Sequence, residues 1–298
     1  MLPEFNLLIP ESLHQALEWM QPEIMQTHDL PANPLAGGTN LMVDMRSGRH
    51  TPAMLVNISD LPELHQVELI AGELKIGSTL TIAELQSNPL VRKYGPVLVE
   101  AANTFANPLV RNRATLGGNL VDASPAADCA PPLLALDAEV ELASLAGNRR
   151  VRLEDFFTGV RKTLILRDEI LSAVYLPAGI QATRSASAYY KIGLRKADAI
   201  SVVSAAVLVE TGPGQRCSKV RIALGSVAPL PMRAVRAEKS LEGSLLSPES
   251  IHQVGVIAAG EVSPISDLRA SAAYRRQMVT VIVGRLLKQA AANLRAQE

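Results

Sequence analysis

Two glycine pairs with matching polar neighbours decide the fold of this chain: AGGTNL at Ala36–Leu41 and TLGGNL at Thr115–Leu120. Glycine has no Cβ, so its backbone adopts positive φ and approaches a ligand closely. Thr and Asn beside it favour turns in which several backbone N–H groups point to one side. Because the two pairs have similar neighbours, we expect them to form two halves of one cradle for a diphosphate.

Neither pair fits the common nucleotide-binding motifs. No Gly-Lys-Ser/Thr follows either pair, which argues against a P-loop nucleoside triphosphatase. The Gly-x-Gly-x-x-Gly pattern of a Rossmann dinucleotide fold is missing from both. The remaining interpretation is a diphosphate held by loops. A plain surface turn is the alternative, and a single pair would favour it.

Composition limits the class of protein. The 298 residues are 48% apolar, which suffices for two or three subdomains. The 29 basic and 29 acidic residues cancel, and aromatics make up 3%, so we expect no binding to nucleic acid or to an anionic membrane surface. No stretch approaches the roughly 20 apolar residues of a membrane span, and no signal-peptide pattern is visible, so a cytoplasmic protein is expected.

The positions of the cysteines and histidines argue against a metal centre within the chain. Cys129 and Cys217 are far apart in the sequence, which argues against a disulfide framework and against an iron–sulfur motif. The five histidines are equally scattered. We therefore expect no metal site in this subunit.

The hydrophobic pattern predicts an α+β chain. Ser12 and Thr81 are predicted helix N-caps, Gly95–Phe105 is helix-like, and apolar residues recur at helical spacing over Val279–Ala290. The predicted strands are Ala53–Ile58, Glu73–Gly77, Val140–Ala143 with a hairpin partner at Arg149–Arg152, Ile170–Leu176, Ser201–Val209 and Val220–Ala228.

A domain boundary is predicted at Pro177–Thr183, where proline and glycine separate two stretches of strand. The first domain is 1–177, with subdomains of about 1–58 and 59–177, and the second domain is 184–298.

Further motifs in the same order give the chain a family resemblance. They are Ala123–Asp128 (ASPAAD), Phe157–Thr163 (FTGVRKT), Asp168–Leu171 (DEIL), Tyr190–Lys191 and Leu268–Arg275 (LRASAAYR). Together with the glycine pairs they resemble the FAD-binding medium subunit of the molybdenum hydroxylases, the family of xanthine dehydrogenase and carbon monoxide dehydrogenase. The resemblance spans nearly the whole chain.

The resemblance implies a fold and an assembly. The fold is a two-subdomain FAD-binding cradle of the PCMH type, followed by a C-terminal domain with a three-stranded antiparallel sheet and helices. The partners are a large subunit that carries the molybdenum cofactor and a small subunit that carries [2Fe–2S] clusters. Non-covalent FAD in this chain would pass electrons from those clusters to NAD+, oxygen or a quinone. A chain with two scattered cysteines agrees with clusters held elsewhere.

The same resemblance assigns the FAD contacts, and it assigns no catalytic or metal-binding residue. Leu35–Asn40 would surround the diphosphate and ribityl chain, Asp128 would accept hydrogen bonds from the ADP-side sugar, and Lys191 would lie at the pyrimidine edge of the flavin. The complete cofactor-binding set is Asn33, Pro34, Leu35, Ala36, Gly37, Gly38, Thr39, Asn40, Leu41, Phe105, Ala114, Thr115, Leu116, Gly117, Gly118, Asn119, Asp122, Asp128, Ile170, Leu171, Tyr190 and Lys191.

Two alternatives remain open at this point. One is a self-contained flavin-dependent oxidoreductase of the same cradle fold, which would need its own acid–base residues and, for covalent attachment, a His or Cys beside the cradle. The other is a structural subunit without flavin. A subgroup of the family that carries a four-cysteine loop for a [4Fe–4S] cluster is set aside, because this chain has only two cysteines.

Overall fold

The structure is a computed structural model that describes residues 2–21, 32–177, 184–195 and 197–297. Its sheets fall into three regions. We call residues 2–58 the N-terminal lobe, 59–177 the middle lobe and 184–297 the C-terminal domain. The boundary predicted at Pro177–Thr183 lies, from residue 178 onward, outside the described residues.

The N-terminal lobe has a small parallel sheet in the order β1-β3-β2. Its strands are β1 (Asn6–Leu8), β2 (Ala32–Leu35) and β3 (Met54–Asn57), and its helices are α1 (Leu13–Trp19) and α2 (Leu41–Arg46). Helix α1 begins at Ser12 as predicted, because the Ser12 hydroxyl accepts a hydrogen bond from the Gln15 N–H at 3.2 Å.

The middle lobe has an antiparallel sheet in the order β4-β5-β10-β6-β7, plus a small hairpin, β8-β9. The strands are β4 (Val67–Ile70), β5 (Glu73–Gly77), β6 (Glu139–Ser144), β7 (Gly147–Arg152), β8 (Phe157–Gly159), β9 (Lys162–Thr163) and β10 (Ile170–Leu176). The helices are a 3₁₀ turn at Pro62–Leu64, α3 (Ile82–Ser87), α4 (Pro89–Tyr94), α5 (Pro96–Thr104), α6 (Pro108–Arg111), α7 (Leu116–Val121), α8 (Ala130–Ala135) and α9 (Leu153–Phe156). Thr81 caps α3 through a capping box with Glu84, which confirms that prediction.

The C-terminal domain has an antiparallel sheet packed on helices. Its strands, in sheet order, are β11 (Arg184–Gly193), β12 (Ser201–Thr211), β13 (Cys217–Gly225) and the two-residue β14 (Met232–Arg233). The helices are a 3₁₀ turn at Pro213–Gln215, α10 (Val235–Leu241), α11 (Pro248–Ala259) and α12 (Ala272–Arg295). The short β14 is one strand more than the sequence predicts. The periodic apolar residues of α12 are buried in the core of this domain, as their spacing predicts.

An ion-pair network joins the middle lobe to the C-terminal domain. The Asp137 carboxylate, just after α8, receives Arg221 Nε at 2.8 Å, Lys219 Nζ at 2.8 Å and Arg233 Nη1 at 3.1 Å. Burial opposes the charge of Asp137, but hydrogen bonds from Arg221 and Lys219 outweigh burial and lower its pKa. The carboxylate therefore holds three cations of the C-terminal sheet against the middle lobe.

One local prediction is wrong. The second glycine pair does not form an open turn, because Gly117 and Gly118 lie in the first turn of α7. Within the described part of the chain, no helix is long and apolar enough to cross a membrane.

Candidate functional site

A cavity of about 940 Å³ opens where the three regions meet. Both glycine pairs line it, together with the Asp128 loop, the start of β10 and residues 198–200 of the C-terminal domain. Its volume lies near the upper end of the range for small-molecule sites, roughly 300 to 1,000 Å³. A long ligand that touches both lobes matches this arrangement.

The first glycine pair offers unused hydrogen-bond donors to the cavity. The chain leaves β2 at Leu35, turns at Gly38 with φ +69°, and enters α2 after Asn40. Among the described residues, none accepts a hydrogen bond from the N–H groups of 37–41, and all five residues line the cavity. Free N–H groups at the start of a helix attract an anion, so this segment can hold a phosphate group.

Gly37 itself packs against protein. A Cβ on Gly37 would lie 1.8 Å from the carbonyl oxygen of Arg113, the second residue before Thr115. Glycine is therefore required here for the N-terminal lobe to approach the middle lobe. The first pair therefore contacts the segment that directly precedes the second pair.

The second glycine pair uses its donors within the protein. Gly117 N–H donates to the Ser78 carbonyl at 2.8 Å, and Gly118 N–H donates to the Thr115 hydroxyl at 3.1 Å. A Cβ on Gly117 would lie 2.6 Å from the Ser78 Cβ. The expectation that both pairs turn N–H groups toward a ligand is therefore wrong for this pair. It is a close-packing element that still lines the cavity.

Asn119 provides a side-chain donor instead. Its Oδ1 accepts a hydrogen bond from the Cys129 N–H at 3.1 Å, which fixes the orientation of the amide. Asn119 lines the cavity, so its Nδ2 group is the donor available to a ligand.

Asp128 and Lys191 form a buried ion pair at the cavity wall. Lys191 Nζ lies 2.6 Å from Asp128 Oδ2, and the two side chains are 6% and 9% exposed. Tyr189 Oη lies 3.4 Å from Asp128 Oδ1. Burial raises the pKa of Asp128, and the Lys191 ammonium works against that rise. Because the two charged groups touch, they cannot serve the ADP sugar and the pyrimidine edge of one extended FAD as separate contacts.

Most of the predicted set lies around this cavity. The lining residues include 33–41, Phe105, Ala114, Thr115, 117–119, Asp122, Asp128, Ile170 and Leu171. The exceptions are Leu116, Tyr190 and Lys191, which are not among the lining residues. Leu116 is fully buried in the core of the middle lobe, Tyr190 is 46% exposed, and Lys191 reaches the site through Asp128.

A charged rim of the cavity was not predicted. Arg161 Nη2 donates to Asp44 Oδ2 at 2.5 Å and to Asp122 Oδ1 at 2.7 Å, and Arg49 Nη2 lies 2.8 Å from Asp44 Oδ1. His50 also lines this part of the cavity. Arg161 lies in the FTGVRKT motif, which was the available signal. No sequence motif marks Asp44, Arg49 or His50 as residues of the site.

Glu169 is another unpredicted lining residue, and it lies in the DEIL motif. Arg149 grips it with two hydrogen bonds, Nε to Oε1 at 2.6 Å and Nη2 to Oε2 at 2.9 Å. These bonds, with one from the Leu166 N–H, lower the pKa of Glu169 against the effect of burial. The remaining unpredicted lining residues are Ile58, Ser78, Ala106, Val110, Val121, Ser124, Ala126, Ala127, Ile165, Asp198, Ala199 and Ile200.

The chain's own groups fit a dinucleotide better than a metal ion. Within the described ranges, no group of three or more His, Cys, Asp or Glu side chains could hold a metal. Cys129 is fully buried and does not line the cavity, and burial raises the pKa of its thiol. Free N–H groups at 37–41 suit a diphosphate, and the apolar Ile170, Leu171 and Phe105 suit ring systems. The residues therefore fit FAD.

Comparison with known proteins agrees with this fit. Residues 3–179 match the family described as FAD binding domain in molybdopterin dehydrogenase, and residues 188–290 match the CO dehydrogenase flavoprotein C-terminal domain. The xanthine dehydrogenase FAD-binding subunit of Escherichia coli O157:H7 is 32% identical over 262 residues, which are 88% of this chain and 89% of that protein.

Two more relatives cover almost the whole chain. The nicotine 6-hydroxylase medium subunit of Paenarthrobacter nicotinovorans is 30% identical over 98% of this chain and 99% of its own length. A structure of carbon monoxide dehydrogenase from Hydrogenophaga pseudoflava contains a chain that superposes with a TM-score of 0.91 and 30% identity, over 98% of this chain and 99% of that one.

Proposed function

Because this chain belongs to the family of FAD-binding subunits of the molybdenum hydroxylases, we propose that it carries electrons from [2Fe–2S] clusters on a partner subunit, through FAD, to NAD+ or another acceptor. The protein is an oxidoreductase subunit with FAD as its own cofactor. The molybdenum cofactor and the clusters belong to partner subunits in homologous complexes. The electron path and the acceptor are the parts that require a test.

The observation that carries this proposal is the row of free N–H groups at 37–41 on the wall of the 940 Å³ cavity. A diphosphate placed there would accept hydrogen bonds from these N–H groups, for which no described protein group is the acceptor. Asp128 and Ile170 line the same cavity as this segment.

The chain's residues would bind and orient the cofactor. FAD, when bound, supplies the redox chemistry that connects clusters to the acceptor. Asn119 Nδ2 would donate to the ligand, and the Asp128 carboxylate would accept from a hydroxyl or a ring N–H. Lys191 would favour the ionised form of Asp128 through the ion pair and would make no separate contact with the flavin. Ile170, Leu171 and Phe105 would pack against ring systems.

The division into a 1–177 FAD-binding domain, with subdomains of about 1–58 and 59–177, and a 184–298 C-terminal domain is part of the proposal. The hydrophobic cluster of the N-terminal lobe, which includes Val56, continues into the middle lobe at Leu64 and Ile170. The core of the middle lobe in turn includes Ala206 and Leu208 of the C-terminal sheet. The two domains would therefore share an interface that supports the cavity.

A self-contained flavoenzyme of the same cradle fold remains the alternative to test. Covalent attachment would need a reactive side chain at the cavity. Cys129 is buried away from it, whereas His50 lines it. Release of the flavin by acid tests the covalent form of this alternative, because a covalent bond to His50 would survive denaturation.

The test begins with the full chain purified in the presence of FAD. We expect one FAD per chain with a flavin absorption spectrum, and full release of that FAD into the supernatant of an acid precipitate. Flavin retained in the precipitate would favour the self-contained enzyme. A chain that binds no FAD would favour a structural subunit and overturn the proposal.

The electron path is tested on the assembled complex. Substrate is added anaerobically, and the cluster and flavin absorption bands are followed together. We expect both to bleach, and NAD+, oxygen or a quinone to restore the flavin band. Clusters that become reduced while FAD stays oxidised would contradict the proposed path.

A further inference from the structure

Arg161 connects α2, the helix that follows the first glycine pair, to the end of α7, the helix that contains the second pair. Its backbone N–H donates to the Ala123 carbonyl at 3.0 Å, which docks the β8-β9 hairpin onto the end of α7. Its side chain donates to Asp122 beside that docking point, and across the cavity rim to Asp44 on α2. Arg161 has φ +55°, a conformation that a non-glycine residue adopts only when its surroundings fix it.

We propose that Arg161 is a positioning residue that sets the distance between the two lobes and thereby the affinity for FAD. This inference rests on the proposed function. The free N–H groups at 37–41 belong to the N-terminal lobe, and Asn119 and Asp128 belong to the middle lobe. One ligand can contact both sets only when the lobes are held at a fixed separation.

The two lobes share a hydrophobic cluster that includes Val56 and Leu64, and two further contacts lie beside the cavity. Gly37 packs directly on the Arg113 carbonyl at one point, and the Arg161–Asp44 pair links the lobes at another. The Arg161–Asp44 pair is the one of these two contacts that spans the rim of the cavity, so it bears on how far apart the two walls of the site lie. The Asp122 carboxylate holds the guanidinium in place, since the same Nη2 group donates to Asp122 Oδ1 and to Asp44 Oδ2.

The charge of the cluster argues against direct phosphate binding by Arg161. Arg161 and Arg49 face Asp44 and Asp122, so the four side chains sum to zero. The guanidinium group already binds two carboxylates, of which Asp44 is 12% and Asp122 is 15% exposed. The cluster therefore acts through geometry rather than as an anion site.

The test measures the dissociation constant of FAD for the full chain, by the change in flavin fluorescence. For Arg161→Gln we expect the dissociation constant to rise about fivefold to tenfold, in line with one charge-assisted hydrogen bond that is partly exposed to water. Arg161→Lys should recover part of this loss, because its ammonium keeps the positive charge and can still donate to a carboxylate, although on a side chain of different length.

Arg150→Gln is the matched control. Arg150 also faces two carboxylates, Glu73 at 2.8 Å and Glu139 at 3.8 Å, but all three residues lie in the middle lobe and away from the cavity lining. The charge change is the same, so we expect no change in the FAD dissociation constant.

Asp44→Asn decides between positioning and direct electrostatics, because the two mechanisms predict opposite signs. Loss of the link between lobes should weaken FAD binding as much as Arg161→Gln does. The Arg161→Gln/Asp44→Asn double variant should be no weaker than either single variant. If Arg161 bound the diphosphate directly, or only screened the carboxylates, removal of one negative charge would tighten FAD binding instead.

The outcomes separate this inference from the proposed function. Tighter binding by Asp44→Asn, or unchanged binding by Arg161→Gln, would overturn the positioning role while the wild-type chain still binds FAD. A wild-type chain without FAD would overturn the proposed function and this inference with it. If Asp44→Asn does not fold, Asp122→Asn also shows whether removal of a carboxylate weakens or tightens FAD binding. Here we expect the FAD dissociation constant to rise only about twofold to threefold, because the bond between Arg161 and Asp44 remains.

Discussion

The two glycine pairs have nearly the same local sequence but different structural roles. In the first pair Gly38 has positive φ, and the N–H groups that follow stay free for a ligand. In the second pair neither glycine has positive φ, and their N–H groups bind the Ser78 carbonyl and the Thr115 hydroxyl. A glycine pair therefore specifies close approach of the backbone, and the surroundings decide whether protein or ligand approaches.

Within each pair the first glycine is the more tightly packed one. A Cβ on Gly37 or on Gly117 would overlap protein at 1.8 Å or 2.6 Å. A Cβ on Gly38 would meet only the Leu35 side chain at 3.2 Å and Met42 at 3.5 Å, and one on Gly118 would meet only the Thr115 hydroxyl at 2.8 Å. Alanine substitution at the four positions should therefore separate packing from ligand binding.

Gly37→Ala should have the largest effect. The new Cβ would overlap the Arg113 carbonyl, and a backbone atom cannot move aside as a flexible side chain can. We expect the free energy of unfolding to fall by about 3 kcal/mol or more, measured by urea denaturation. Gly48→Ala is the control, because Gly48 has φ +70° but nothing within 4 Å of its Cβ position. A Gly37→Ala variant as stable as Gly48→Ala would contradict the close contact between the lobes.

Gly117→Ala should have the second largest effect on stability, with a fall of about 2 kcal/mol in the free energy of unfolding. Its Cβ would overlap the Ser78 Cβ at 2.6 Å and approach the Ser78 carbonyl oxygen at 2.9 Å. Adding Ser78→Gly removes the first overlap and should restore part of the loss in the same denaturation experiment. If the double variant were less stable than Gly117→Ala alone, the overlap would not be the cause.

Gly38→Ala should affect the ligand more than the fold. The left-handed backbone costs a non-glycine residue about 1 to 2 kcal/mol, and the neighbouring side chains can move. A shift of this backbone would also displace the free N–H groups, so we expect the FAD dissociation constant to rise about tenfold. Titration of the variant with FAD measures this. Unchanged affinity would show that the 37–41 segment does not hold the diphosphate.

Gly118→Ala should change stability the least. Alanine favours a helix over glycine by about 1 kcal/mol, which offsets a weakened Thr115 cap of similar size. We expect the free energy of unfolding to change by less than about 0.5 kcal/mol in the same urea experiment. Gly118 lines the cavity, so FAD affinity is measured on the same samples. If Gly118→Ala lost as much stability as Gly117→Ala, the predicted difference in packing between the two positions would be wrong.

The elements that sequence predicts well are those with local causes. Strand Ile170–Leu176 is bounded as predicted, and Ser12 and Thr81 cap helices because the bonds they make span three residues. Helix α7 was not predicted, since two glycines lower helix propensity. Its first turn is stabilised by bonds to the Leu80 and Ser78 carbonyls, which lie more than thirty positions earlier in the sequence.

The same distinction applies to the site. The 37–41 segment and Asn119 lie in motifs that can be recognised along the sequence. The ion pairs cannot be, because Arg161 lies 117 positions from Asp44 and Lys191 lies 63 positions from Asp128. Oppositely charged residues are common along the chain, and only the folded structure selects which of them meet.

The Asp128–Lys191 pair has a consequence for the order of events during synthesis. The carboxylate emerges from the ribosome well before its ammonium partner, which lies on β11. Until β11 has been extruded and docked, that wall of the pocket carries an uncompensated negative charge. We therefore expect this wall of the pocket to reach its final charge balance only after β11 has been synthesised and has docked.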